Sequence, residues 1–145
     1  MDCCFVCQSS SKPTKVACWR PGAVYRITCR RCLKEGVEGV YWGESGFSAY
    51  FCGKQHLEGL ATRFQDNVLY RHCLEEHGGA VLTREDFEMT VVSNHRRAIT
   101  RQSEKGVRIS DTVRRKEMGE RIILINSKAQ FFQPGLVKAN YSPVQ

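Results

Sequence analysis

Four cysteines occur in two pairs with the spacing of metal-binding knuckles, Cys4-x2-Cys7 and Cys29-x2-Cys32. Two thiolates separated in this way can bind one tetrahedral ion from a tight turn, so the two pairs together would complete a closed structural Zn²⁺ site. Cys18 lies between the pairs and is an alternative fourth ligand. The competing interpretation is that Cys29 faces the core from a strand and Cys32 is a free thiol. The spacing favours zinc, since six of the eight cysteines fall within the first 32 residues.

Two histidines, His72 and His77, raise the question of a second metal site. They lie five positions apart, a separation that fits one face of a single helix poorly. The prediction for both is therefore core packing, or contacts at the ends of helices, rather than metal binding.

Positive charge is concentrated in one part of the chain. The formal net charge is +7, and residues 94–121 contain nine Lys or Arg against four acidic residues. Such a local excess suits a polyanion, because each neutralised phosphate releases counterions. The alternative is a solvated helix face that contacts no partner. The candidate nucleic-acid-binding residues are Lys54, Arg96, Arg97, Arg101, Lys105 and Arg108.

The elements that would position these side chains begin with short strands. Residues 24–29 and 39–43 have β character and are joined by a glycine-containing turn at 34–38, which predicts a hairpin. Residues 87–92 alternate in polarity as a half-buried strand does. Residues 122–125 are apolar, and they predict either a buried strand or an apolar strip.

Helices are predicted between and after these strands. Ser45 is a plausible N-cap for a helix that runs to about residue 60, and a second helix covers 68–77 and ends at two glycines. A basic helix follows from Arg96 to about residue 107, with a separate helical stretch at 111–118.

These elements predict an α+β fold, in which an antiparallel hairpin or three-stranded sheet is flanked by helices and carries an N-terminal zinc knuckle. The expected organisation is a Cys-rich segment, 1–32, that leads into the first strand, a main domain over 22–128, and an irregular tail over 129–145. Hydrophobic residues make up 41% of the chain, which is enough for one core.

The apolar runs are too short to span a bilayer, so we expect no membrane contact. The N-terminus lacks the features of a signal or transit peptide. We therefore expect a nuclear or cytoplasmic protein, with an organelle as the alternative if a leader has been removed.

Three stretches follow one another along the chain: VYRITC with a further cysteine at 32, YWGESG at 41–46, and GKQHL at 53–57. With the segments 72–78, 101–102 and 124–128, they resemble the GIY-YIG nuclease domain in the form found in eukaryotic retroelements such as Penelope-like elements. The similarity runs from about residue 4 to residue 134.

The resemblance implies single-metal hydrolysis of phosphodiesters. Two tyrosines, matched here by Tyr25 and Tyr41, position or activate water, and a helical arginine stabilises the charged phosphate. A glutamate holds the divalent ion, which would be Mg²⁺ if the protein is active. His56 matches a histidine that follows the arginine, and Asn126 matches an asparagine at the end of the site.

Two positions depart from the family pattern. Cys52 stands where the arginine belongs, and a thiol cannot replace the fixed donor fork of a guanidinium. Lys105 stands where the metal-binding glutamate belongs, so a cation would face a cation. The neighbouring Glu104 could substitute only if the helix shifts by one residue, because one step turns a side chain by about 100°.

The leading hypothesis is a GIY-YIG-like domain that binds DNA or RNA with lost or strongly impaired cleavage, as a structural component of a ribonucleoprotein that contains other proteins. One alternative is an active nicking endonuclease in which Glu104 binds Mg²⁺. The other is a zinc-folded module that binds proteins.

Overall fold

A mixed β-sheet with helices on both faces forms the body of the molecule in the computed structural model, which describes residues 4–6 and 18–126. Strand β1 is followed by helix α1, strand β2, helices α2 and α3, strand β3, helix α4 and strand β4. Their bounds are β1 Pro21–Cys29, α1 Arg30–Lys34, β2 Glu38–Ser48, α2 Ala49–Ala61, α3 Val68–Glu76, β3 Phe87–Asn94, α4 Ala98–Glu117 and β4 Ile122–Leu124. The predicted α+β class is confirmed.

The sheet has the strand order β3-β1-β2-β4. Strand β1 lies in the middle and pairs antiparallel with both β2 and β3, so the predicted hairpin and third strand are present. The sheet has a fourth strand, because β4 pairs parallel with β2 and the backbone N–H of Ile125 then donates to the Val40 carbonyl at 2.8 Å. The predicted sheet, a hairpin or three strands, therefore has one strand fewer than the observed sheet of four.

Alternating side chains of β2 point to opposite faces of the sheet and enter two separate cores. Tyr41 packs in the larger core with Ile27, under helices α2 and α3. Val40 and Trp42 pack in the smaller core with Ile109 of α4. Helix α4 therefore covers the face opposite to the one that carries Tyr41.

Helix α4 is continuous over 20 residues, whereas the sequence predicted two shorter helical pieces. Its apolar positions are sparse, but Ile109 and Thr112 are both buried on the helix face that meets the sheet. Tertiary packing of this face stabilises a helix that local propensity alone supports weakly. The buried Gly106 lies within the helix without ending it.

Helix α2 begins later than predicted. Its N-cap is Ser48, whose hydroxyl accepts from the Phe51 N–H at 3.3 Å, and Ser45 belongs to β2. The strand continues to Ser48 because it still pairs there with Pro21. Both serines are suitable caps, so the pairing of β2 decides between them.

Two predicted features lie outside the described part of the chain. None of the helices within it combines the length and apolar character needed to cross a membrane. Cys7 and the predicted tail over 129–145 lie outside the described residues.

Candidate functional site

Two cysteines and two histidines converge beside the end of β1. The ligand atoms of Cys29, Cys32, His72 and His77 all lie within 4.8 Å of one another. Cys32 Sγ is 3.4 Å from the Nε2 atom of each histidine, Cys29 Sγ is 3.5 Å from His77 Nε2, and the two Nε2 atoms are 3.2 Å apart. A tetrahedral zinc ion with bonds of about 2.0–2.3 Å separates its ligands by roughly 3.3–3.8 Å. The four side chains therefore form a buried group that could hold a metal ion.

The two thiols are brought together by the start of helix α1. Cys29 is the N-cap of this helix, and its Sγ accepts from the Cys32 N–H at 3.5 Å. The tight turn aims both sulfur atoms towards α3. Burial, with the neighbouring Cys29, raises the pKa of the Cys32 thiol to about 12. In the absence of a cation the thiol stays protonated, and a bound cation would favour the thiolate.

The two histidines come from the last turn and the end of α3. His72 lies on the helix, but His77 is its C-cap with φ −124° and ψ 20°, so the chain has left helical geometry there. Because the chain turns here, the His77 ring lies beside His72. In a continuous helix the two side chains would point about 140° apart. Burial, with His77 nearby, lowers the pKa of His72 to about 4, so its imidazole is neutral. The Nδ1 atom of His77 faces Glu35 Oε2 at 3.9 Å, a carboxylate position common behind metal-binding histidines.

His72 is buried and His77 is the C-cap of α3, as the sequence predicted, but both also belong to the group that could hold a metal ion, which the sequence analysis did not favour. The interval of four residues between them falls within the range found in zinc sites that combine one Cys-x2-Cys with one His pair. That spacing was the signal available in the sequence. It was discounted because both histidines were assigned to one regular helix.

The predicted ligands of the N-terminal segment do not join this group where they are described. Cys4 is half-buried and lines a cavity with Tyr50 and Lys54 on α2. Cys18 is buried in the larger core. Among the described residues, the candidate metal group combines Cys29 and Cys32 with the two histidines, and neither Cys4 nor Cys18 belongs to it.

A second cluster joins Tyr25 of β1, Tyr41 of β2 and His56 of α2. Tyr25 Oη is 2.8 Å from His56 Nε2, and the Tyr41 ring centroid is 5.3 Å from the His56 ring. A Cβ atom at Gly43 would lie 2.3 Å from the Tyr25 ring, so this position must be glycine for the ring to cross the hairpin. The resemblance predicted one site for these three side chains, and the fold places them together.

The protonation states of this cluster follow from its burial. Burial raises the pKa of Tyr25 well above its usual value, with Tyr41 adding to the effect. Burial also lowers the pKa of His56 to about 4. At neutral pH His56 is therefore uncharged in its hydrogen bond with the Tyr25 hydroxyl, and the tyrosinate form of Tyr25 is strongly disfavoured.

Cys52 occupies this cluster at the position that the resemblance assigns to arginine. Burial raises the pKa of the Cys52 thiol, while side-chain hydrogen bonds from Ser45 and Tyr25 oppose this rise. The group beside Tyr25 is thus a neutral thiol with no positive charge for a phosphate.

Lys105 approaches from α4, on the other face of the sheet. Burial lowers the pKa of its ammonium group, and Glu44 opposes this shift. The Glu44 carboxylate also raises the pKa of Tyr25 and Cys52. One acidic side chain near the end of β2 therefore acts electrostatically on both Lys105 and the tyrosine cluster.

The carboxylate of the neighbouring Glu104 contacts three other side chains. Its carboxylate lies 2.8 Å from Ser93 Oγ, 2.8 Å from His95 Nε2 and 3.4 Å from the Arg108 guanidinium. Burial would raise its pKa, but the hydrogen bonds from His95 and Ser93 outweigh burial and hold the pKa below its usual range. The one-residue helix shift that would aim Glu104 at the tyrosines is not present.

The predicted basic face is only partly a surface. Arg96, Arg97 and Lys54 are exposed, and Arg108 lies over the Trp42 ring at 5.6 Å. Arg101 requires a correction, because it is 7% exposed and cannot form part of an open phosphate-binding face. It lies on the helix stripe that meets the sheet, where sequence periodicity alone would place an apolar residue.

Arg101 forms a buried ion pair instead. Its Nε donates to Glu44 Oε2 at 3.0 Å, and one terminal nitrogen donates to the carbonyls of His95 at 3.0 Å and Arg96 at 2.7 Å. The guanidinium therefore links the end of β2 to the chain that enters α4.

Asn126 lies at the edge of β2. Its Oδ1 accepts from the Trp42 N–H at 2.9 Å, and its Nδ2 donates to the Trp42 carbonyl at 2.8 Å. The side chain continues the pairing that β4 begins, so its observed role is to hold the strand that carries Tyr41.

No protein-family model, curated protein sequence or solved structure matches the chain.

Proposed function

We propose that the protein is a nucleic-acid-binding domain of GIY-YIG-like design that does not cleave its ligand, and that Zn²⁺ holds its fold together. A role as a structural component of a larger ribonucleoprotein fits a small basic domain of this kind. The proposal includes a nuclear or cytoplasmic location.

The composition of the tyrosine cluster supports the proposal that the protein does not cleave nucleic acid. The tyrosine cluster contains two tyrosines, a neutral histidine and the Cys52 thiol, and no side chain in it supplies the positive charge that an anionic transition state requires. Glu44 near the cluster is ion-paired with Arg101 and also acts electrostatically on Lys105. Loss of one preorganised charge stabiliser costs roughly a hundred- to a thousandfold in rate.

The argument for zinc rests on the donor set and its spacing. Two thiols and two imidazoles form the usual ligand set of a closed structural site, and their separations match the edges of a zinc tetrahedron. The ion would connect the end of β1 and α1 to the end of α3, two regions more than 40 residues apart.

The argument for nucleic acid rests on the charges that remain exposed. Arg96 and Arg97 precede α4 without acidic partners among the described ion pairs, and Lys54 is exposed on α2. These side chains are free to neutralise phosphates, although they are fewer than the sequence indicated.

The binding test is fluorescence anisotropy with labelled DNA and RNA over a range of salt concentrations. We expect affinity to fall as salt rises, and Arg96→Ala with Arg97→Ala to reduce the slope of log K against log salt by about 2. Lys116→Ala is a matched control, because this exposed residue lies near the far end of α4. Absence of binding even at low salt would overturn the proposal and favour a protein-binding module.

The cleavage test is incubation of supercoiled plasmid with Mg²⁺ or Mn²⁺. We expect no nicking by the natural chain. Metal-dependent nicking that disappears in Glu104→Ala would show that the active alternative is correct.

A further inference from the structure

Trp19 presents an indole ring to solvent at the surface next to β1. The residue is 64% exposed, an unusual state for the largest aromatic side chain. Its ring stacks on Tyr50 of α2, with centroids 4.5 Å apart and planes inclined by 19°. The stack fixes the orientation of the indole and leaves its outer face open, so the pair forms a rigid aromatic platform.

A basic cavity lies directly beside this platform. Arg20 follows Trp19 in the chain, and it lines a cavity of about 370 Å³ with Pro21, Asn94, His95 and Arg96. The walls are held in place, because Asn94 Nδ2 donates to the Arg20 carbonyl at 3.2 Å and the His95 N–H donates to the Gly22 carbonyl at 2.8 Å. Among the described residues, the cavity lining contains two arginines and no acidic residue.

Positive charge also lies on the other side of the platform. Tyr50 and Lys54 are one helical turn apart on α2, and both line a second cavity of about 260 Å³. Arg84 contributes to this lining, and Glu58 is the one acidic residue among its described members. Basic groups therefore flank the stacked rings on two sides.

The geometry points to a subsite for an unpaired nucleotide, with its base on the outer face of Trp19 and the adjoining phosphates at Arg20 and Arg96 on one side and at Lys54 on the other. A base inside a duplex cannot offer its face to an indole, so the subsite selects single-stranded or unpaired segments. Aromatic platforms beside basic grooves bind single strands without strong sequence preference. This inference rests on the proposed function and narrows its substrate class.

Tryptophan fluorescence can report whether a base stacks on Trp19, and so it tests the subsite. It contains two tryptophans, and the second, Trp42, is 6% exposed and donates to Thr112 Oγ1 at 2.9 Å beneath α4. A base that stacks on Trp19 would quench its fluorescence and leave that of Trp42 unchanged. Zinc-loaded full-length protein is titrated with oligo(dU), with oligo(U) and with a blunt DNA duplex, while anisotropy of a labelled strand is followed in parallel.

We expect quenching by the single strands and little or none by the duplex. Trp19→Ala should weaken single-strand binding by roughly five- to 150-fold. Trp19→Phe should lose the quenching and keep most of the affinity, since a phenyl ring still stacks. Phe64→Ala is the matched control, because Phe64 is 58% exposed but lies outside both cavity linings. Arg20→Ala should lower the salt slope by about 1, whereas Lys116→Ala should not.

The possible failures are distinguishable. If single strands and duplex bind equally and Trp19 is not quenched, the subsite is absent while the proposed function stands. If no nucleic acid binds at all, both the proposed function and the subsite are refuted. Unchanged affinity in Trp19→Ala, or quenching that persists in Trp19→Phe, would also refute the inference. Comparison of oligo(dU) with oligo(U), which differ only in the 2′-hydroxyl, identifies the preferred sugar.

Discussion

Replacement of Arg101 by alanine separates a structural role for this residue from a phosphate-binding role. In the natural chain its guanidinium donates to Glu44 and to two backbone carbonyls, and its side chain is 9% exposed against 14% for that of Glu44. The alanine variant would leave the Glu44 carboxylate and both carbonyl oxygens without this donor. Removing one partner of a buried ion pair typically costs about 3–5 kcal/mol.

Lys105 sets the expected value within this range. Its ammonium group acts electrostatically on Glu44, so the carboxylate keeps one nearby cation after the substitution. We therefore expect a loss of about 3 kcal/mol in the free energy of unfolding, a large part of the roughly 5–15 kcal/mol that stabilises a typical domain. A second variant, Arg101→Ala with Glu44→Gln, should recover part of the loss because no carboxylate is left unpaired.

The assay is urea denaturation of the zinc-loaded protein, followed by circular dichroism. Arg97→Ala is the matched control, because this exposed arginine lies four residues earlier, and its loss should change stability by less than about 0.5 kcal/mol. An Arg101→Ala protein of natural stability that binds nucleic acid more weakly would refute the buried ion pair and restore the interpretation drawn from the sequence.

Three further predictions concern the metal group, the tyrosine cluster and the edge of β2. Mass spectrometry should find one zinc ion per chain, retained in Cys4→Ser and lost in His77→Ala, and chelation should lower the melting temperature of the natural protein. Burial holds the pKa of His56 at about 4, below its ordinary value of 6.5, so the stability from its neutral form is present above about pH 6.5 and is lost towards pH 4. By pH 5 the contribution of His56 to the loss in urea titrations should be roughly 2 kcal/mol, and the total loss should be smaller by that amount in His56→Gln, since His72 loses stability over the same pH range. Asn126→Ala should cost about 2–3 kcal/mol in the same assay, because it leaves the Trp42 N–H and carbonyl without partners; an unchanged midpoint would show that water replaces the amide.

Local patterns in the sequence were sufficient for much of the sheet. The alternation around Tyr25, Tyr41 and Met89 identified three strands, because side chains in a strand must point to opposite faces. The order of motifs placed His56 on the following helix, next to both tyrosines. These features depend on neighbours in the chain or on the tight hairpin between β1 and β2.

The features that the sequence misassigned depend on distant contacts. The helical periodicity of α4 does not reveal that Arg101 faces the sheet, since its burial depends on Glu44, 57 residues away. The place of His77 in the candidate metal group was missed because the residue was treated as part of a regular helix, which ends at Glu76. Cys29 and Cys32 lie in the candidate metal group, but their partners come from a segment 40 or more residues further along.

The late position of β4 has a consequence for synthesis on the ribosome. The backbone of β2 is exposed along one edge until residues 122–126 emerge, more than 70 residues after the strand itself. During that interval the nascent chain presents an unpaired strand next to Trp42, a template on which other chains can pair. Truncations that end before residue 122 should therefore aggregate, because the edge of β2 stays unpaired in them.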